Sequence, residues 1–186
     1  MSDPHAVIDR DFDAHLERIR EFLRIPSVSA ADGDLRSTAD AVCRLIELAG
    51  GTAEPREPEE RPTVIGVIDG PPPTVLRYGM YDVQPPGAQW TVDPFAAGLR
   101  DGRVIARGAA NSKGALAASI LAFASAPSPC RQVFVCEGEE ELGARGWPRS
   151  ATRTATSWRA TSRSTSTSRS SPGRCSPACS ACTRSS

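Results

Sequence analysis

The sequence predicts an α/β domain, with helices packed on the faces of a sheet, over roughly its first 140 residues. Two observations lead to this prediction. Segments with helical spacing of apolar residues alternate with short β-branched runs. Polar and acidic residues also follow directly after two of those runs, as sites at the carboxyl ends of strands commonly do.

The first two elements are predicted helices. Between residues 7 and 23 the apolar positions recur every three or four residues, with charged residues between them, and Pro26 then ends the helix. A second helix is predicted over 38–48, where the Gly50–Gly51 pair provides the stop. Both segments have the amphipathic pattern of helices that lie on a core.

Strand signals follow in the next part of the chain. Residues 54–62 are charged and rich in proline, which predicts a loop. The run TVIGVI at 63–68 is typical of a strand and is followed by Asp-Gly and three prolines, a turn signal. Residues 74–78 repeat the strand pattern.

The segment that follows is less regular. Residues 82–102 carry mainly turn signals, and 103–106 favour a short strand. A run of small apolar residues at 114–124 has the length of a helix, and 132–136 has the pattern of a buried strand. That strand leads straight into the acidic segment EGEEE at 137–141.

The chain has two parts whose net charges are opposite and equal in size. Residues 1–143 hold 14 basic residues and all 22 acidic ones, a net charge of −8, whereas 144–186 hold eight arginines and no acid. We therefore divide the chain into an α/β domain at 1–146 and a tail at 147–186. Serine, threonine and arginine make up 26 of the 40 tail residues, so the tail is predicted to be disordered.

Two further interpretations of the tail stay open. The abrupt change of composition favours a reading frame shifted after residues 143–146. An arginine- and serine-rich nucleic-acid segment is the other interpretation, but the tail has only Trp147 and Trp158 to stack on bases. We accordingly predict no nucleic-acid partner.

The remaining composition points to an ordinary intracellular protein. The N-terminal segment is acidic and has no apolar run, so we predict neither a signal peptide nor a membrane partner, and a cytoplasmic location. Cys43, Cys130 and Cys136 are expected to be buried hydrophobic residues. The three tail cysteines, Cys175, Cys179 and Cys182, lack a fourth ligand for a zinc knuckle.

The acidic segment is the best candidate for chemistry. Hydrolysis of an amide needs a strong nucleophile and stabilisation of an oxyanion, and two zinc ions held by carboxylates and imidazoles supply both. Three consecutive glutamates after a strand, Glu139 to Glu141, repel one another unless a cation or solvent compensates. A solvated loop is the alternative interpretation of the same residues.

Six ordered sequence blocks together resemble one enzyme family. The blocks are LRIPSVS at 23–29, GMYDVQP at 79–85, the stretch from Trp90 to Phe95, DGR at 101–103, RGAANSKG at 107–114 and EGEEELG at 137–143. They closely resemble the dinuclear zinc hydrolases that include acetylornithine deacetylase, succinyl-diaminopimelate desuccinylase, aminoacylase and carnosine dipeptidase. The resemblance implies a three-layer α/β/α zinc-peptidase-like catalytic domain that is incomplete here.

The resemblance also implies roles for individual residues. Glu140 would be the general base, Glu141 a zinc ligand, and Asp82 would orient a zinc-bound histidine two residues before it. That position holds Met80, and the family's metal-bridging aspartate falls at Asn111. A thioether and a neutral amide are poor substitutes for imidazole and carboxylate, so only Glu141 stands unaltered among the five expected ligands.

Other features of the sequence bear on the same site. The two histidines, His5 and His15, precede the first block and are expected to face solvent on the opening helix. Lys113, the only lysine, either pairs with a nearby carboxylate or holds the site loop. The family resemblance implies small peptide or N-acyl amino acid substrates, and homodimerisation only where a lid domain is present.

Three functional hypotheses result. The first is a zinc-dependent hydrolase of amide or peptide bonds, of the dipeptidase, deacylase or carboxypeptidase type, that is inactive as this chain. The second is a metal-free binding module that keeps the fold. Alternatively, the substitutions mark a sub-group of working hydrolases with a different metal geometry, which the presence of Glu140 and Glu141 favours. The third hypothesis is a basic-tailed nucleic-acid binder, which rests only on the tail.

Overall fold

The computed structural model describes residues 4–31, 33–56 and 58–144, which form three α-helices, six strands and one 3₁₀ turn. The elements are α1 (Pro4–Arg24), α2 (Leu35–Leu48), β1 (Thr52–Arg56), β2 (Thr63–Ile68), β3 (Thr74–Met80), β4 (Gly98–Arg100), β5 (Arg103–Ile105), α3 (Lys113–Ser125), β6 (Arg131–Glu137) and the 3₁₀ turn Glu140–Leu142. The predicted boundary at 146 and the predicted disorder of 147–186 fall outside the described residues.

Four strands form a mixed sheet in the order β1–β2–β6–β3. β2 pairs antiparallel with β1 and with β6, whereas β3 and β6 run parallel. β4 and β5 form a separate antiparallel hairpin. Its turn residues Asp101 and Gly102 both have positive φ, as a type I′ turn requires, and Asp-Gly adopts this turn readily.

The helices cover one face of the mixed sheet. The side chain of Ile46 on α2 packs on Gly66 of β2, and Leu116 on α3 packs on Gly79 of β3. Gly66 and Gly79 lie on the same face because both are in register with the Phe134 and Cys136 positions of β6. On the opposite face Leu76 and Tyr78 remain 56% and 54% exposed.

The α/β class is therefore confirmed. The described residues supply a sheet and one layer of helices, and a second helical layer is not found among them. None of the helices in this described part is long and apolar enough to cross a membrane.

Most element predictions agree with the structure, and three need correction. The irregular segment predicted over 82–102 contains a short strand, β4 (Gly98–Arg100), which forms by pairing with β5. The loop predicted over 54–62 is wrong in its first part, because β1 (Thr52–Arg56) pairs with β2 as an edge strand, where a proline such as Pro55 is tolerated. The second helix begins at Leu35 rather than at 38. Asp34 caps it by accepting a hydrogen bond from the Ser37 amide (3.0 Å).

A candidate hydrolase site at the ends of two parallel strands

The candidate site lies where β3 and β6 end side by side. The last residues of the two strands, Met80 and Glu137, are paired in register. The amide of Tyr81 then donates to the Glu137 carbonyl at 2.8 Å. The segments that carry the predicted site residues therefore leave the same edge of the sheet.

Asp82 is fully buried at this edge. Its Oδ2 accepts a hydrogen bond from the backbone amide of Glu141 (3.1 Å), which joins the two sequence blocks that carry most of the predicted site. Oδ1 has no hydrogen-bond partner in the described part of the chain, and neither has the nearby buried hydroxyl of Ser29. Burial raises the pKa of Asp82, and the hydrogen bond from the Glu141 amide opposes the rise in part.

The acidic segment separates its charges by giving each glutamate a different environment. Glu137 is buried and accepts a hydrogen bond from the Tyr78 hydroxyl (2.5 Å). Burial is the main cause that raises the pKa of Glu137, and the hydrogen bond from Tyr78 opposes the rise. Glu139 forms an ion pair with Arg61 (3.0 Å).

The last two glutamates occupy the 3₁₀ turn. The side chain of Glu140 is exposed to solvent, and that of Glu141 is partly buried and accepts a hydrogen bond from Gln84 (2.8 Å). The predicted repulsion among the glutamates is thus relieved by Arg61, Gln84 and solvent.

The two altered positions lie close to this edge. Met80 is partly buried, and its carbonyl accepts a hydrogen bond from the Ser112 hydroxyl (3.1 Å). That contact brings the loop with the exposed Asn111 next to the end of β3. The structure therefore brings together the segments that hold Met80, Asp82, Asn111 and the acidic turn.

The residues present do not fit a pair of zinc ions. No group of three or more histidine, cysteine, aspartate or glutamate side chains within the described ranges is arranged to hold a metal ion. The family resemblance implies an imidazole and a carboxylate at the positions that Met80 and Asn111 occupy, and a thioether and an amide are poor zinc donors.

Lys113 is fully buried at the start of α3. Its Nζ donates to the Ile25 carbonyl (2.6 Å) and lies 4.7 Å from the centre of the Phe22 ring. Burial lowers its pKa to about 7. The prediction that Lys113 pairs with a carboxylate is therefore wrong: its partners are a backbone carbonyl and an aromatic ring.

The histidines and cysteines lie elsewhere. His5 and His15 are both on α1, with His5 exposed and His15 partly buried. Cys43 and Cys136 are buried and Cys130 is partly exposed, all three as free thiols. Burial raises the pKa of Cys43 to about 11 and that of Cys136 to about 12, which agrees with their expected role as small core residues.

Several residues around the site were not singled out from the sequence. Ser27 donates its hydroxyl to the Tyr81 carbonyl (2.7 Å) although the two are far apart in sequence. Arg61, Tyr78 and Gln84 contact the acidic segment in the same long-range way. Ser27 and Gln84 lie in matched blocks, whereas the loop residue Arg61 carries no local signal.

Comparison with known proteins defines the class. A family model described as peptidase family M20/M25/M40 matches residues 77–161. The chain is 34% identical to the succinyl-diaminopimelate desuccinylase of Rhodospirillum centenum over 154 residues, covering 76% of this chain and 38% of that protein. The desuccinylase of Methylobacterium radiotolerans is 36% identical over 121 residues, covering 60% of this chain and 30% of that protein.

Solved structures agree with these relatives. The M20 family metallo-carboxypeptidase Sso-CP2 from Sulfolobus solfataricus superimposes with a TM-score of 0.66 and 33% identity, over 70% of this chain and 32% of that one. Human carnosine dipeptidase 1 gives a TM-score of 0.70 over 79% of this chain and 37% of its own, and its 23% identity supports the fold alone.

The resemblance found in the sequence is thus confirmed: the chain is a relative of the M20/M25/M40 peptidases. It spans about 38% of the length of the first curated relative.

Proposed function

We propose that this chain is part of the catalytic domain of a hydrolase that cleaves amide bonds in small peptides or N-acyl amino acids. The observation that carries the proposal is the hydrogen bond from the Glu141 amide to Asp82, because it assembles two separate motif blocks at one sheet edge. The named relatives are a desuccinylase and a carboxypeptidase, both of which act on C–N bonds. A soluble cytoplasmic setting is part of the same proposal.

Two residues of this chain suit the proton transfers of such a reaction. Glu140 is exposed at the rim, so its carboxylate can accept a proton from a water molecule and return it to the leaving amine. Asp82 is held below it by a backbone amide and is suited to orienting a neighbouring group rather than to exchanging protons with solvent.

The residues present do not supply the metal-dependent part of the reaction, in which water is activated and the oxyanion is stabilised. Zinc is the metal that the family resemblance implies, and Met80 and Asn111 remove two of its ligands. We therefore expect this chain to be inactive by itself.

A metal-free binding module is the second candidate function. The same two substitutions favour it, because they lie inside a site edge that is otherwise assembled from hydrogen-bonded residues. Such a module would bind an amide substrate without cleaving it.

Zinc content and hydrolysis measured together test these proposals. The purified chain and its Glu141→Ala variant are dialysed against micromolar zinc, analysed by plasma mass spectrometry, and assayed on N-succinyl, N-acetyl and dipeptide substrates. We expect no retained zinc and no turnover in either protein. Retained zinc that the variant loses, with turnover that Glu140→Gln abolishes, would instead establish a working hydrolase.

Calorimetric titration of the same substrates separates the two candidates. Binding without cleavage, lost in Glu140→Gln, supports the binding module. The absence of binding supports the first proposal, in which the chain is part of a catalytic domain whose zinc ligands are incomplete.

A further inference from the structure

We propose that Lys113 is a positioning residue that fixes the segment 25–29 beneath Asp82. The functional meaning of this proposal rests on the proposed hydrolase function, because Asp82 belongs to that site. The contacts themselves form within this chain and need neither metal nor substrate. Lys113 acts through other residues and does not itself touch the reacting atoms.

The ammonium of Lys113 lies at the end of α1. Its side chain is fully buried, and Nζ donates to the carbonyl of Ile25, the residue that follows the last residue of the helix. A cation is favoured there because the carbonyl ends of a helix carry partial negative charge. The ring of Phe22, on the last turn of α1, covers the ammonium from another side.

The Ile25 carbonyl is also the start of a short chain of contacts to Asp82. It accepts a second hydrogen bond from the amide of Ser27 (3.0 Å). The Ser27 hydroxyl donates a hydrogen bond to the Tyr81 carbonyl (2.7 Å). The backbone carbonyl of Ser27 accepts a hydrogen bond from the Val83 amide (2.9 Å). Asp82 is thus held by Ser27 through both of its neighbours in sequence.

The other end of Lys113 belongs to the loop that carries Asn111. The preceding residue, Ser112, donates its hydroxyl to the Met80 carbonyl, so the loop is tied to the end of β3. The methylene chain of Lys113 packs on Gly108, where an added Cβ would lie 3.3 Å from Cδ. Lys113 therefore connects the three segments that meet at the site, namely 25–29, 80–83 and 108–112.

Hydrogen exchange measured by mass spectrometry tests the connection in the chain as it stands. Lys113→Met keeps the length of the side chain and removes its charge and donors. We expect the Val83 amide to exchange about tenfold faster, because the carbonyl that orders Ser27 has lost a charged donor, while exchange along β6 stays unchanged. Arg20→Met is the matched control, since Arg20 also donates from α1 to a distant carbonyl, that of Ala97 (2.8 Å). We expect it to leave Val83 unaffected.

A general role in stability gives a different result. Equal acceleration of exchange along β6 and at Val83, or no acceleration at Val83, would overturn the proposal. The NMR shift of the Asp82 carboxyl carbon, assigned with Asp82→Asn, supplies a local spectroscopic readout. It should move in Lys113→Met and stay in place in Arg20→Met.

A second measurement needs no variant and covers the case in which Lys113→Met does not fold. Lys113 is the only lysine in the chain, so selective ¹⁵N-lysine labelling gives a single side-chain signal. Below the Lys113 pKa of about 7, we expect a slowly exchanging ammonium with nuclear Overhauser contacts to the Phe22 ring. A rapidly exchanging signal without those contacts would overturn the proposal. Neither experiment depends on activity, so an inactive chain leaves both conclusive.

Discussion

The buried framework beneath the site and the rim that faces solvent differ in how well they suit the proposed chemistry. The framework, represented by Ser27, Asp82 and Lys113, is fully buried and joined by hydrogen bonds between distant segments. The rim contains Glu140 and Glu141 on one side, but Met80 and Asn111 on the other.

The difference separates residues that hold the fold from residues that would carry the proposed chemistry. Framework residues are fixed by packing and by the cost of unsatisfied buried groups. Of the rim residues, Glu140 and Asn111 are exposed and Met80 and Glu141 are partly buried, so exchanging them changes the chemistry with less effect on stability. Substitutions in the two regions should therefore have very different consequences.

The largest effect is expected for Gly114→Ala in the framework. An added Cβ would lie 2.1 Å from the Ala109 carbonyl oxygen, a backbone atom that cannot move aside easily. We expect a loss of about 3 kcal/mol in the free energy of unfolding, measured by urea denaturation. Gly98→Ala is the control, since its Cβ meets open space, and should change stability by less than about 0.5 kcal/mol. Equal losses in the two variants would contradict the comparison.

Removal of one buried hydroxyl should have an intermediate effect. Tyr81 is fully buried and donates to the Pro62 carbonyl, so Tyr81→Phe should cost about 1 kcal/mol. Tyr78→Phe removes the donor of the buried Glu137 carboxyl group and should cost about as much, although the Tyr78 side chain is 54% exposed. Thermal unfolding of both variants checks this, and a loss close to zero in either variant would contradict it.

A smaller effect is expected for the ion pair between Arg61 and Glu139. The Arg61 side chain is 39% exposed, so its contribution is reduced by solvent screening. Arg61→Ala should lower the free energy of unfolding by about 0.5 kcal/mol at low salt and by less at 1 M salt. An effect that does not depend on salt would show that packing of the arginine, rather than its charge, is responsible.

The smallest effect on stability is expected at the rim. Glu140→Gln replaces an exposed side chain and should leave the free energy of unfolding unchanged within about 0.5 kcal/mol. Differential scanning calorimetry is a sufficient test. A marked destabilisation would assign Glu140 to the framework instead.

Much of the fold could be predicted from local patterns. β2 has the predicted bounds, and α1, α3 and β6 extend only one to three residues beyond theirs at either end, because their apolar spacing matches one type of element over its whole length. β1 could not be predicted from its charged, proline-containing sequence, since it becomes a strand only by pairing with β2. The start of α2 was missed because its cap, Asp34, lies before the apolar pattern begins.

The site was predictable only as separate blocks. The sequence marked Asp82, Glu140 and Glu141 by resemblance, but not the contacts that hold them. The partner of Lys113 lies 88 residues away, and that of Glu139 lies 78 residues away. Contacts over such separations depend on tertiary packing and leave no local signal.

Zinc binding by the double variant Met80→His/Asn111→Asp tests the central claim most directly. With Glu141, this variant would present one imidazole and two carboxylates, the number of protein ligands in many catalytic zinc sites. If the framework is intact and only the rim is deficient, competition titration should show zinc bound at least about tenfold more tightly than by the original chain, with Met80→Ala/Asn111→Ala as the control. Equal zinc affinity in the original chain and the double variant would contradict the claim.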